Sequence, residues 1–147
     1  MACAQSVIYY HHDCTDGRVA ASMLSKHLTN AGTKALLIRS ASANMSRFDL
    51  PPPGTGTVYF VDLCPTEPLV EEIERRARYV VILDHHMSSV PLCERLRTRG
   101  RWTIRHHLDM CGAQIVDKYY PRQQATPNLD AALEAVAAFD LWLDPVD

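Results

Sequence analysis

The sequence predicts an α/β fold of three layers, α/β/α, built on a mostly parallel sheet of about five strands. Three observations carry this. Short apolar, β-branched runs alternate along the chain with segments of helical periodicity. The strands are separated by helices of about ten residues or more, long enough for the right-handed crossovers that parallel neighbours require. The length, 147 residues, suits one domain spanning 1–147 with a core covered on both sheet faces.

Each element follows from its local pattern. "SVIYYHH" (6–12) reads as a buried strand. "GRVAASMLSKHLTNAG" (17–32) places Val19, Ala20, Met23, Leu24, His27 and Leu28 on one helical face, with Gly32 as the stop. "KALLIRS" (34–40) is the second strand, and a polar loop through "DLPPPGTG" leads to the third, "TVYFVDL" (57–63). "PTEPLVEEIERRAR" (65–78) predicts an amphipathic helix starting after Pro65, on which Arg75, Arg76 and Arg78 share a salt-bridged face with Glu71, Glu72 and Glu74. "YVVILDHH" (79–86) is a strand, "PLCERLRTRG" (91–100) a short helix and "RWTIRHH" (101–107) a further strand. Alternation there puts Arg101, Thr103 and Arg105 on one side and Trp102, Ile104 and His106 on the other. "CGAQIVDKYY" (111–120) and "NLDAALEAVAAFD" (128–140) give two last helices. No internal repeat, low-complexity tract or linker interrupts the pattern.

Composition narrows the function classes. Apolar residues at 47% and charged residues at 22% describe an ordinary globule, and no apolar run approaches the ~18 residues of a membrane span. "MACAQSVIYY" has neither the basic nor the apolar region of a secretory signal, so export is not expected. Cys3, Cys14, Cys64, Cys93 and Cys111 are odd in number and lack CxxC spacing, which argues against a disulfide framework and a zinc knuckle and for the reducing cytoplasm. With 15 basic against 17 acidic residues, the chain has no global attraction for polyanions, so a phosphate-bearing substrate needs a local cluster or bound cations. The arginines at 95, 97, 99, 101 and 105 form the densest basic stretch, and their ordinary reading is exposed, solubilising charge.

The histidines ask for chemistry. All but His27 come in pairs, His11–His12, His85–His86 and His106–His107, each after an apolar or aromatic stretch. In an open parallel sheet ligands bind outside the carboxyl ends of the strands. There the first strand delivers His11, His12 and Asp13 with Cys14, Asp16 and Gly17 behind them; the third delivers Asp62; the fourth delivers Asp84, His85 and His86. Taken singly, Asp16 reads equally as a helix N-cap and Asp62 as a loop acid, while His85 reads sooner as a core histidine and Asp140 as an idle acid at a helix end, where the macrodipole nonetheless disfavours it and points to another contact. "DHH" straight out of "VVIL" is not explained by packing, because three polar groups at a strand end need partners. Crowded carboxylates repel, and one or two divalent cations are the usual remedy.

"YYHHDCTDGRVAAS", "VYFVDL", "VILDHH" and "AAFDLW", in this order, resemble the four motifs of the DHH phosphoesterase superfamily. "MCGAQIVDKYYP" is similar to the Ser-Gly-Ala helix start after the fifth strand in a bacterial subgroup, so the resemblance covers nearly the whole chain. It implies a two-metal phosphohydrolase of the oligoribonuclease, phosphodiesterase or exopolyphosphatase kind, acting on a phosphate-containing small molecule or short oligonucleotide. It implies that His11 binds the first metal; that Asp16, His85 and Asp140 bind the second; and that Asp62 bridges both. Asp84 would orient an imidazole, and His86 would face the substrate phosphate. His106 or His107, at the fifth strand end, is expected to reach the phosphate as well. Oxygen and imidazole donors suit two Mn²⁺ ions, or Mg²⁺ or Co²⁺.

Two departures qualify the resemblance. Many family members carry an Asp ligand where this chain has Cys14, so a hard first site is expected to bind Mn²⁺ more weakly, with Asp13 or Cys14 itself as the substituted ligand or Cys14 a small buried residue without that role. The sequence also stops just past the last motif, at "DLWLDPVD", without the C-terminal substrate-binding domain usual in the family; it is either a piece of a longer protein or works with an open cleft. The alternative to an enzyme is a non-catalytic nucleotide- or protein-binding module on the same fold. Neither reading calls for a membrane, and both are compatible with a homo-oligomer.

Overall fold

The structure, a computed structural model, describes residues 5–40, 49–124 and 127–141. Cys3 and Trp142, the last residue of the fourth motif, lie outside the described residues, as does most of the loop expected before "DLPPPGTG". The elements run β1 (Ser6–His11), α1 (Thr15–Asn30), β2 (Ala35–Ser40), β3 (Thr55–Val61), α2 (Val70–Arg76), β4 (Ala77–Asp84), α3 (Val90–Leu96), β5 (Trp102–His106), α4 (Gly112–Tyr119) and α5 (Pro127–Asp140). Single 3₁₀ turns, Glu67–Leu69 and Met87–Ser89, lead into α2 and α3.

The five strands form one sheet in the order β2-β1-β3-β4-β5, and every pairing is parallel. Register aligns the apolar runs into rows: Val7, Val58, Val80 and Trp102 lie side by side, as do Tyr9, Phe60, Ile82 and Ile104. These rows pack against Leu69, Val70 and Ile73 of the α2 segment and Cys93 and Leu96 of α3. The alternate residues Ile8, Tyr59, Val61, Val81 and Leu83 face Ala20, Ala21, Leu24 and Leu28 of α1, Ile115 and Val116 of α4, and Leu133 and Ala137 of α5. Runs of β-branched residues without polar alternation are what a sheet covered on both faces demands.

The structure shortens several sequence-predicted elements. The 65–78 helix ends at Arg76, because Ala77 already has extended dihedrals and pairs with Thr55, so Arg78 belongs to β4 and not to the glutamate face. Arg75 and Arg76 do pair with Glu72. α1 begins two residues earlier than expected, which makes Cys14 its N-cap and sets Asp16 inside the first turn. The basic stretch is tied down locally: Arg95 pairs with Glu67, Arg97 with Glu94 at 3.0 Å and Arg99 with Glu74 at 2.8 Å, while Arg105 lies over the Tyr119 ring at 4.6 Å. No helix among the described residues is long and apolar enough to cross a membrane.

The strand order turns at β1, whose successor β2 lies on one side while β3 lies on the other. That switch point opens a crevice at the carboxyl edge between β1 and β3. α1 crosses it closely: a Cβ on Gly17 would stand 2.3 Å from the His11 carbonyl oxygen, so only glycine lets the helix start there.

Candidate metal centre

The ends of three strands and three helices meet at this crevice. His11 is the last residue of β1, and Cys14 and Asp16 open α1. Asp62 follows β3 directly, in a left-handed conformation with φ of 59°, and its amide donates to the Leu83 carbonyl at 2.9 Å. A non-glycine residue held at positive φ is uncommon and costs about 1 kcal/mol or more, so the surroundings must fix it. Asp84 closes β4, with His85 and His86 next, and Asp140 is the last residue of α5.

Three carboxylates surround one imidazole nitrogen. His85 Nε2 lies 2.8 Å from Asp62 Oδ1, 3.1 Å from Asp140 Oδ2 and 3.5 Å from Asp16 Oδ2. A ring nitrogen has one proton to donate, so the hydrogen bond to Asp62 leaves the other oxygens unserved. Asp62 Oδ2 and Asp140 Oδ2 are buried without a hydrogen-bond partner. Ligand atoms of Asp16, His85 and Asp140 lie within 4.8 Å of one another. Two carboxylate charges at that range repel by about 3–4 kcal/mol at an effective dielectric of ~20. Burial, and then the charge of Asp16, raise the carboxyl groups of Asp62 and Asp140 above the usual carboxylate range. His85 is raised too: burial opposes its charge, but the bond to Asp62 and the charges of Asp62 and Asp140 together outweigh it.

Asp16 is clamped from the far end of the chain. Its Oδ2 accepts the Gly112 amide at 2.7 Å and its Oδ1 the Ala113 amide at 2.8 Å. These are free donors of the first turn of α4, whose positive dipole end favours an anion. The N-cap Cys111 completes that turn, its own amide donating to Gln114 Oε1 at 3.0 Å. A Cβ on Gly112 would meet Asp16 Oδ2 at 3.0 Å and the Asp62 Cβ at 3.1 Å, so close approach of the α4 backbone to both acids depends on that glycine.

A second network stands beside the first. Asp84 Oδ1 pairs with His86 Nδ1 at 2.7 Å, and Asp84 Oδ2 accepts from Ser89 Oγ at 2.7 Å. Ser89 also lies 2.8 Å from the His86 carbonyl and 3.0 Å from His106 Nε2. Burial would raise Asp84, yet the bonds from His86 and Ser89 hold it below the usual carboxylate range. The Asp84 bond raises His86 to about 9, so its imidazole is cationic near neutrality. The His86 side chain is 39% exposed and borders a cavity of about 370 Å³ that Thr66, Ser88 and Arg95 also line. A larger cavity, about 460 Å³, lies between α1 and residues 120–124, and none of the converging acids lines it.

The first-strand loop divides the expected ligands. His11, Cys14 and Asp62 bring ligand atoms within 4.8 Å of one another, whereas Asp13 is exposed and belongs to none of the clusters of such residues found in the described chain. The Cys14 thiol donates to Asp140 Oδ1 at 3.8 Å, and burial, with Asp62 and Asp140 nearby, pushes it up to about 12. His12 Nδ1 is buried without a partner, its ring edge-on to Tyr10. His106 is drawn into the Ser89 network, and His107 Nε2 bonds the Tyr119 hydroxyl at 2.7 Å instead of facing the acids.

Thus the acids and His85 expected for the second metal converge, and His11 and Asp62 converge at the first. Orphaned buried carboxylate oxygens and a nitrogen faced by three acids are the features a divalent cation would satisfy, so the residues fit a metal. Ser89 and the Gly112–Ala113 amides were not foreseen. The only sequence signals for them are the Ser pair after "DHHM" and the Gly-Ala opening of α4. No protein-family model and no curated protein matches the chain.

Proposed function

We propose that the chain is a metal-dependent phosphohydrolase of the DHH kind that cleaves phosphodiester or phosphoanhydride bonds in short oligonucleotides or small nucleotides. The observation that carries the proposal is the convergence of Asp16, Asp62 and Asp140 on His85 Nε2, with two buried oxygens left unpartnered. Asp16, Asp62, His85 and Asp140 would hold one cation, and His11 and Asp62, with the first-strand loop, a second; Mn²⁺ is proposed, with Mg²⁺ or Co²⁺ as substitutes. When bound, a pair of such cations polarises a phosphoryl oxygen and supplies a water that ionises near neutral pH.

The chain's own residues do the rest. Asp62 belongs to the group with His11 and Cys14 and also lies 2.8 Å from His85 Nε2, which supports reading it as the shared carboxylate. The α4 amides fix both oxygens of Asp16, so the second site is preorganised at no cost when a cation enters. Asp84 holds His86 by Nδ1, which leaves Nε2 with its proton 4.0 Å from Asp62 Oδ1, beside the converging acids. From there the imidazolium can donate to a phosphate oxygen or protonate the leaving oxygen. The cavity beside it, with Thr66, Ser88 and Arg95, offers hydrogen-bond donors to the same phosphate. Free thiols at Cys14, Cys64, Cys93 and Cys111 fit a cytoplasmic setting.

Cys14 standing where the family has a carboxylate favours one competing reading, a non-catalytic module with that fold. Turnover separates the two. The enzyme binds close to two Mn²⁺ per chain and hydrolyses a chromogenic phosphodiester, and Asp62→Asn loses both properties while staying folded. Metal uptake without hydrolysis of any phosphodiester or dinucleotide would leave the binding module.

A further inference from the structure

We infer that Cys14 is itself a metal ligand, and that the His11, Cys14 and Asp62 group takes a borderline-soft cation such as Zn²⁺ or Co²⁺ while Asp16, Asp62, His85 and Asp140 take a harder one. The inference rests on the two-cation reading above and gives its centre two unlike halves.

The donors differ in kind. The second group offers two carboxylates and one imidazole within 4.8 Å of one another, with a third carboxylate, Asp62, 2.8 Å from that imidazole, a hard set that suits Mn²⁺ or Mg²⁺. The first offers one imidazole nitrogen, one sulfur and one carboxylate oxygen, all within 4.8 Å. Replacing oxygen by thiolate shifts preference toward Zn²⁺, and the general order of divalent affinities already places Mn²⁺ lowest.

The cysteine does not stand alone as the ground for a site. Asp62 is fully buried, and its Oδ2 has no hydrogen-bond partner. That oxygen lies over Gly17, only 3.2 Å from where a Cβ would be, on the side where the loop carrying Cys14 enters α1. The alternative oxygen ligand, Asp13, is exposed. Cys14 is half-buried at the N-cap with no side-chain cap hydrogen bond, and its sulfur stands among the acids: the thiol donates over a long 3.8 Å to Asp140 Oδ1 and lies within 4.8 Å of ligand atoms of His11 and Asp62. On binding, the sulfur–cation bond forms as the S–H bond breaks, and the proton leaves to solvent.

Cobalt reports the sulfur directly. The purified chain is stripped with EDTA and titrated with Co²⁺ while the near-ultraviolet spectrum is followed. A thiolate-to-cobalt charge-transfer band of one sulfur per chain is expected in wild type and in Cys93→Ser, and none in Cys14→Ser. In competition, Cys14→Ser should lose Zn²⁺ affinity by about tenfold or more, the scale on which metal sites respond to losing even a supporting group. Its Mn²⁺ affinity at the other site should hold. Because a variant can fail to fold, wild type is also alkylated with iodoacetamide with and without Zn²⁺, and protection is mapped by mass spectrometry; Cys14 should be shielded by the metal. A spectrum without the sulfur band, a band that survives in Cys14→Ser, or equal Cys14 labelling with and without Zn²⁺ overturns the inference. Phosphodiester hydrolysis with Mn²⁺ but no sulfur band would leave the proposed function standing and this inference refuted; a sulfur band without hydrolysis would do the reverse.

Discussion

Asp16 is both a candidate ligand and a strut, and the two roles separate by substitution. Its carboxylate accepts two backbone amides of α4, at 2.7 and 2.8 Å, from residues 96 and 97 positions away. Hydrogen bonds to a charged group contribute about 1.5–3 kcal/mol each, so Asp16→Ala gives up about 3–6 kcal/mol and strands two buried donors. Against this, either Ala or Asn removes one like charge, worth about 3–4 kcal/mol against a neighbour at ~4.8 Å when both are ionised. That relief is common to both variants and cancels between them. Asn keeps a carbonyl oxygen for one of the two amides. In EDTA, Asp16→Ala should therefore unfold about 1–3 kcal/mol below Asp16→Asn, or roughly 2–10 °C lower for a chain of this size. Both variants should lose the stabilisation that Mn²⁺ gives wild type. The assay is calorimetry of three proteins with and without metal. If Asp16→Ala matches or exceeds Asp16→Asn in EDTA, the carboxylate does not hold α4 and the strut is an illusion of distance.

Three further outcomes follow from the same geometry. His85→Ala and Asp62→Asn should each abolish the rise in melting temperature on adding Mn²⁺, whereas His27→Ala, whose ring meets the Pro121 carbonyl and Tyr120 away from the acids, should keep it; an equal loss in all three would trace the effect to general stability. In EDTA, His85 and His86 are raised from 6.5, His86 to about 9, so each contribution is full below 6.5 and is lost as pH rises through that group's folded value, about 9 for His86. Asp62 and Asp140, raised from 3.8, add a penalty that grows as pH climbs through their folded values, so metal-free stability should fall with rising pH. Mn²⁺ replaces those protons, and its melting-temperature gain should be larger near about pH 8 than about pH 6; equal gains would count against the ligand set. Gly17→Ala improves helix propensity by about 1 kcal/mol, yet its Cβ meets the His11 carbonyl oxygen at 2.3 Å, so a net loss of stability is expected on denaturant titration, and a gain would show that α1 can slide away from β1.

Much of this was legible in the chain because the governing signals are local. Short β-branched runs such as "VVIL" read as strands buried on both faces, and "DHH" at the end of one names a place in the sheet as well as a chemistry. The boundary at Arg76 was not legible, since "ERRAR" is good helix sequence and the strand wins only through the pairing of Ala77 with Thr55. Asp16 was ambiguous between cap and ligand because its clamp is made by amides nearly a hundred residues on, with no side chain to announce them. Ser89 went unnoticed for a similar reason: joining Asp84 to His106 requires β4 and β5 to be neighbours, which register alone decides. Asp140 at a helix C-terminus, where the macrodipole disfavours an acid, lies 3.1 Å from His85 Nε2 and accepts the Cys14 thiol, contacts that only the fold brings together.

The left-handed backbone at Asp62 sets stability at odds with the proposed metal binding in a single residue. A glycine would relax φ of 59° at once and remove an unpartnered buried oxygen, at the expense of the carboxylate proposed to serve both cations. A library randomised at this position and sorted for heat resistance in chelator should drift toward glycine. The same library sorted with divalent metal present should return aspartate, so the two winners would measure, in opposite directions, what the centre takes from the fold.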